Sequence, residues 1–105
     1  MRLDWSPGDD LAALVRAAPG GSGSFEVVIA PGADPVALAV VRAMLAPLAV
    51  ELAPATRLNA VVPLPGAAAA DVAAATAFLA GAESTTGQCI EVNAPAAAHT
   101  APAPR

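Results

Sequence analysis

The sequence predicts a small three-layer α/β domain with about three parallel strands. Three observations predict it. Phe25 to Ala30 and Arg57 to Val62 are short, largely apolar runs rich in β-branched residues. A long apolar stretch opening with Asp34-Pro35 separates them, and a second helical pattern with a last short strand follows. Strand, helix and strand in alternation build a parallel sheet covered by helices. A chain of 105 residues has room for one core. That core is expected over residues 1–93, with an alanine- and proline-rich tail over 94–105 expected to be disordered.

Each element has a local reason. Ser6-Pro7-Gly8-Asp9 carries helix-start chemistry: a hydroxyl for orphan amides, a proline tolerated in the first turn, and acids at the positive end of the dipole. Leu11, Leu14, Val15 and Ala18 then share one face, which predicts a helix over 7–18 ended by Pro19-Gly20-Gly21. Ser22-Gly23-Ser24 reads as a connection. Phe25-Glu26-Val27-Val28-Ile29-Ala30 reads as a buried strand closed by Pro31-Gly32-Ala33. Asp34 and Pro35 supply the cap and first-turn proline of a helix over 35–53. The strand at 57–62 stops at Pro63-Leu64-Pro65-Gly66. Strand, helix and strand over 25–62 thus form a crossover, and such units are right-handed in about 98% of cases. Val72, Ala75, Thr76 and Leu79 mark a helix over 71–80 with Gly81 at its exit, and a final strand covers 88–92.

Composition excludes several functions. Net charge is −4, there is no lysine, and the five arginines (Arg2, Arg16, Arg42, Arg57, Arg105) are scattered, so no stripe neutralises a phosphate backbone. Nucleic acid is not an expected partner. Cys89 is the only cysteine, which excludes an internal disulfide and a thiolate metal cluster. Mean hydropathy is +0.60. No run between neighbouring charges reaches the roughly 18 apolar residues that span a bilayer, so no membrane partner is expected. The amino terminus lacks a secretory pattern, and the expected compartment is the cytoplasm.

Motifs that invite a chemical reading do not sustain one. Gly20-Gly21-Ser22-Gly23 follows a helix and precedes a strand, the reverse of a phosphate-binding turn. In Pro31-Gly32-Ala33-Asp34 the order is right, but the Asp34 carboxylate occupies the cap and repels an anion. His99 has no ligand or base partner at useful spacing and reads as solvated. Cys89 reads as an inert thiol, because the local sequence offers no cation. Ser84-Thr85-Thr86-Gly87 reads as a turn. Asp34 and Glu51 end the same helix about 25 Å apart, too far for a carboxylate pair.

The long helix does carry a signal. From Pro35 through Val50 its only charge is Arg42, and its apolar residues cover more circumference than one sheet can bury. Such a helix needs a second cover, and the contact is expected at Val36, Val40, Val41 and Met44. Pro47 sits inside it, costs about 3 kcal/mol and predicts a kink.

Glu51-Leu52-Ala53-Pro54, Arg57 to Pro63, Asp71-Val72-Ala73 with Phe78-Leu79-Ala80, and Thr86-Gly87-Gln88 resemble, in order and spacing, the C-terminal half of the short-chain dehydrogenase/reductase family. The resemblance covers residues 25–93 and implies a truncated Rossmann-like fold. It makes Phe25 to Ala30 the family's fifth strand and the helix from Pro35 its fifth helix. The departures are chemical. The family's catalytic tyrosine and lysine fall at Asp34 and Leu38, its serine falls near Pro31, and the chain has neither tyrosine nor lysine. The glycine-rich cofactor turn has no counterpart before Phe25, and the loop after Pro63 is cut short.

These departures imply no catalytic, cofactor-binding or metal residue in this chain, and no cofactor. Two functions are expected from what remains. One is a non-catalytic assembly subunit, forming a homo-oligomer or a hetero-oligomer with a full-length dehydrogenase through the helices by which family members pair. The other is a component of an NAD(P)-dependent oxidoreductase whose cofactor and catalytic residues come from a partner chain.

Overall fold

The computed structural model describes residues 1–19 and 23–96. Gly20, Gly21 and Ser22, and most of the predicted tail including His99, lie outside the described residues. The described chain runs β1 (Arg2–Trp5), α1 (Leu11–Ala17), β2 (Ser24–Ile29), α2 (Pro35–Leu52), β3 (Arg57–Pro63), α3 (Ala69–Gly81) and β4 (Cys89–Val92). The four strands form one sheet in the order β1-β2-β3-β4, and every neighbouring pair is parallel.

The sheet therefore has one strand more than expected. β1 is only four residues long, and its Arg2 and Asp4 are exposed while Leu3 and Trp5 turn toward the core. An edge strand can keep one polar face, which hides it from a search for apolar runs. The helix start also moves. Asp10, not Ser6, caps α1, its carboxylate accepting from the amides of Ala12 and Ala13. The Ser6 to Asp9 segment instead folds into a turn, in which the Asp9 amide donates to the Ser6 carbonyl at 2.9 Å and the Trp5 indole donates to the Asp9 carbonyl at 3.0 Å.

Strand alternation sorts the core into two layers. Phe25, Val27, Ile29, Leu58, Ala60 and Val62 face α1 and α2, and pack with Leu11, Val15, Val41, Leu45 and Leu48. Val28, Val61 and Val92 face the other way and pack against Val72 and Leu79 of α3. Since the strands follow in spatial order while α2 and α3 lie on opposite faces, the β2-α2-β3 and β3-α3-β4 crossovers have opposite hands. One of the two breaks the usual rule for parallel units.

α2 runs unbroken through Pro47 to Leu52. Ala43 and Pro47 both lie on its exposed side, where the carbonyl freed by the proline meets water. By length and composition α2 is also apolar enough to cross a bilayer. Arg42 and Glu51 lie within it, so its runs between neighbouring charges stay short of a bilayer's span, as expected. Here it is a cover helix, with Val41, Leu45, Leu48 and Ala49 buried against the sheet.

Candidate functional site

In a parallel sheet the helix N-termini and the ligand crevice share the strands' carboxyl edge. Asp10 caps α1 there and Asp34 caps α2, the Asp34 carboxylate accepting from Val36 N at 2.9 Å and Ala37 N at 3.1 Å. Asp4, Asp9 and Asp71 occupy the same edge, and Arg2 is the cation among them. A pyrophosphate brought to this edge would face carboxylates at two of the three helix ends.

Asp34 and Leu38 occupy the positions expected for a proton donor and its ammonium partner. Asp34 is committed to the cap. Leu38 is half-buried against the core cluster. Between them and β3 lies a hollow of about 100 Å³ lined by Ala33, Leu38, Val62, Pro63 and Leu64 among others, with no titratable side chain in its lining. Nothing in that hollow can give or take a proton at neutral pH.

A larger cavity of about 350 Å³ opens on the other face of the sheet, at the carboxyl ends of β1, β2 and β3 beside the first turn of α3. Its walls are apolar, including Val28, Pro63, Ala67 and Val72, and its polar groups come from Arg2, Asp4 and Ser6. Sequence reasoning did not find it, because it depends on β1.

The four residues expected to form a contact separate in the structure. Val36 and Val40 are 73% and 52% exposed, and Val50 joins them at 77%. Met44 is half-buried against the core. Val41 is 3% exposed and belongs to the chain's own core, so it has no surface to offer another molecule.

Around α2, Val36, Ala39, Val40, Ala43, Ala46, Pro47 and Val50 make an exposed stripe without a charge. Its width is the ~100° arc that an amphipathic helix normally buries. The helix's two charges are held off to either side. Arg42 donates to Glu91 of β4 at 2.6 Å. Glu51 accepts two bonds from Arg16 of α1, at 2.7 and 3.1 Å. Hydrogen bonding and charge from Arg16 hold the Glu51 carboxyl below its ordinary range, and the bond to Glu91 raises the Arg42 guanidinium. On the opposite layer α3 exposes Phe78, 66% accessible, among alanines.

Cys89 is half-buried, and burial pushes its thiol up, while Arg42 pulls in the other direction. The cation missing from the local sequence is thus delivered by α2, yet desolvation prevails. Among the described residues no group of three or more His, Cys, Asp or Glu could hold a metal ion.

The amino edge is filled by polar bonds. Arg57 reaches under the end of α3 and donates to the carbonyls of Leu79 at 3.0 Å, Ala80 at 2.9 Å and Ala82 at 2.7 Å. Asn59 is fully buried, donates to Thr85 O at 2.9 Å and accepts from Gln88 N at 3.0 Å. Glu26, 1% exposed, takes the Met1 ammonium on Oε1 at 3.0 Å, while its Oε2 has no hydrogen-bond partner. These groups close the edge away from any ligand crevice.

A family model described as "short chain dehydrogenase-like protein" matches residues 3–92, which takes in β1 and α1 as well as the stretch whose resemblance is legible in the sequence. Comparison with curated proteins and with solved structures gives no match.

Proposed function

This chain belongs to the short chain dehydrogenase-like family, and from that premise we propose that it acts as a non-catalytic assembly subunit that buries the outer stripe of α2 against another chain. The observation that carries the reading is the uncharged stripe from Val36 to Val50, with its flanking charges paired sideways to α1 and β4. An apolar strip of that length is costly to leave in water. The residues at Asp34 and Leu38 support the non-catalytic half of the reading, since neither can perform the proton relay the family uses.

The partner is a second copy or a full-length dehydrogenase. Native mass spectrometry after co-expression with neighbouring genes separates the two. Val40→Asp places a charge on the exposed stripe, so it should release the partner while the thermal melt stays within a few degrees. A wild-type chain that remains monomeric at high concentration and takes up no partner would sink the proposal.

The cavity at the carboxyl edge keeps a second reading in view, in which the chain shapes a shared site and a partner contributes NAD(P) and the catalytic residues. Under that reading the co-purified complex reduces a carbonyl substrate of the partner at least tenfold faster than the partner alone. An unchanged rate removes it.

A further inference from the structure

The cavity beside α3 has a chemistry of its own, on the face of the sheet opposite the α2 stripe. Its volume of about 350 Å³ stands at the small end of the range for ligand pockets. The interior is apolar, with Val28, Val72, Pro63 and Ala67 in its walls. At the mouth stand one cation and one anion, Arg2 and Asp4. They pair through Arg2 Nε and Asp4 Oδ1 at 3.0 Å, which occupies one donor of a guanidinium that has five and one of two carboxylate oxygens. Both side chains are about half exposed or more, so both remain in reach of a ligand.

An anion alone would meet Asp4, and a cation alone would meet Arg2. A molecule bearing both charged groups on one carbon satisfies each of them, the carboxylate on the guanidinium's terminal nitrogens and the ammonium on the free carboxylate oxygen. The Ser6 hydroxyl, also in the lining, can accept from that ammonium. Small residues at Ala67 and Ala69 leave the interior to an aliphatic group. We infer that this cavity binds a free apolar α-amino acid, with its zwitterionic head on Arg2 and Asp4 and its side chain against Val28 and Val72.

Trp5 is the only tryptophan of the chain and lines the cavity, so its fluorescence reads the site directly. Titration with L-leucine should give a saturable change with Kd near or below about 1 mM. The same side chain without its ammonium, 4-methylpentanoate, and without its carboxylate, 3-methylbutylamine, should each bind at least tenfold more weakly. Glycine, which has the head alone, should not saturate. Arg2→Gln and Asp4→Asn are surface changes, and each should weaken L-leucine at least tenfold with an unaltered thermal melt.

No saturable response to L-leucine, equal binding of 4-methylpentanoate, or unchanged affinity in both variants would overturn the inference. Val50→Asp, at the far end of the α2 stripe and away from Trp5, should leave the titration as it is, so that failure of the assembly reading and failure of this one are told apart.

Discussion

The two edges of the sheet are built by opposite means. At the amino edge, polar side chains of β3 and of the loop before β4 are spent on backbone groups: Arg57 on the end of α3, the buried Asn59 on the loop into β4, and Thr86 Oγ1 on the amide of Leu58 at 3.0 Å. At the carboxyl edge, where doubly wound folds hold their ligands, there are cap carboxylates and open hollows. The fold thus keeps its directional bonding away from the edge where ligands would sit. Strong, directional bonds sit where no chemistry is expected, and the edge that would carry chemistry is left loosely furnished.

The amino edge is most vulnerable at Asn59. Asn59→Ala deletes both of its bonds, strands the Gln88 amide beside a fully buried position and leaves the Thr85 carbonyl only a long bond from Arg57 at 3.4 Å, at a cost of about 3 kcal/mol. Urea denaturation should show it as a lower midpoint with an unchanged slope. A loss well under 1 kcal/mol would mean that the loop holds its shape without the amide. Arg57→Met should come next, at about 2 kcal/mol, because α3 has no basic residue in its own last turn and the guanidinium serves three of its terminal carbonyls. Hydrogen exchange of α3 amides near Leu79 should rise before the rest of the helix follows.

The carboxyl edge should respond less, and in both directions. Asp34→Ala removes the α2 cap for about 1 kcal/mol. Among the described helices α3 alone has a cap residue, Ala68, that makes no side-chain bond, so Ala68→Asp should gain about 0.5 to 1 kcal/mol. A loss on Ala68→Asp would show that repulsion from Asp71 in the first turn outweighs the new cap. Together the pair tests whether this edge is short of bonding or merely short of polar residues.

What the sequence revealed follows the same division. β2, α2 and β3 were legible because their apolar runs are long and their caps are local, as Asp34-Pro35 demonstrates. β1 was not, since four residues with Arg2 and Asp4 on the open face carry no apolar run. The turn at Ser6 to Asp9 has the residues of a cap, but Asp10 stands closer to the first buried position, Leu11, and takes that role. Arg57 and Asn59 lie inside a run that reads as a buried strand. Their partners are more than twenty residues away, so only the fold discloses what a polar side chain does there. The cavity depended on β1 and stayed hidden with it. The outer stripe of α2 was anticipated as excess apolar surface, whereas its division into exposed Val36 and Val40 and buried Val41 required knowing which way the helix faces.

The smallest effect tests the borders of that stripe. Arg16 holds the Glu51 carboxyl below its ordinary range in the folded chain. A depressed carboxyl contributes stability that is present above its unfolded pKa and fades as pH falls through the folded one. Both partners are exposed, so the contribution is slight and screened by salt. The wild-type chain should lose a little stability between about pH 5 and the folded-state titration in low salt, and Arg16→Gln should flatten that slope. The flattening should vanish in about 1 M salt, where the Debye length is about 3 Å. If Arg16→Gln instead lowers the melt equally at every pH and salt concentration, the arginine acts through the packing of its stem between α1 and α2, and the stripe is bounded by contact rather than by charge.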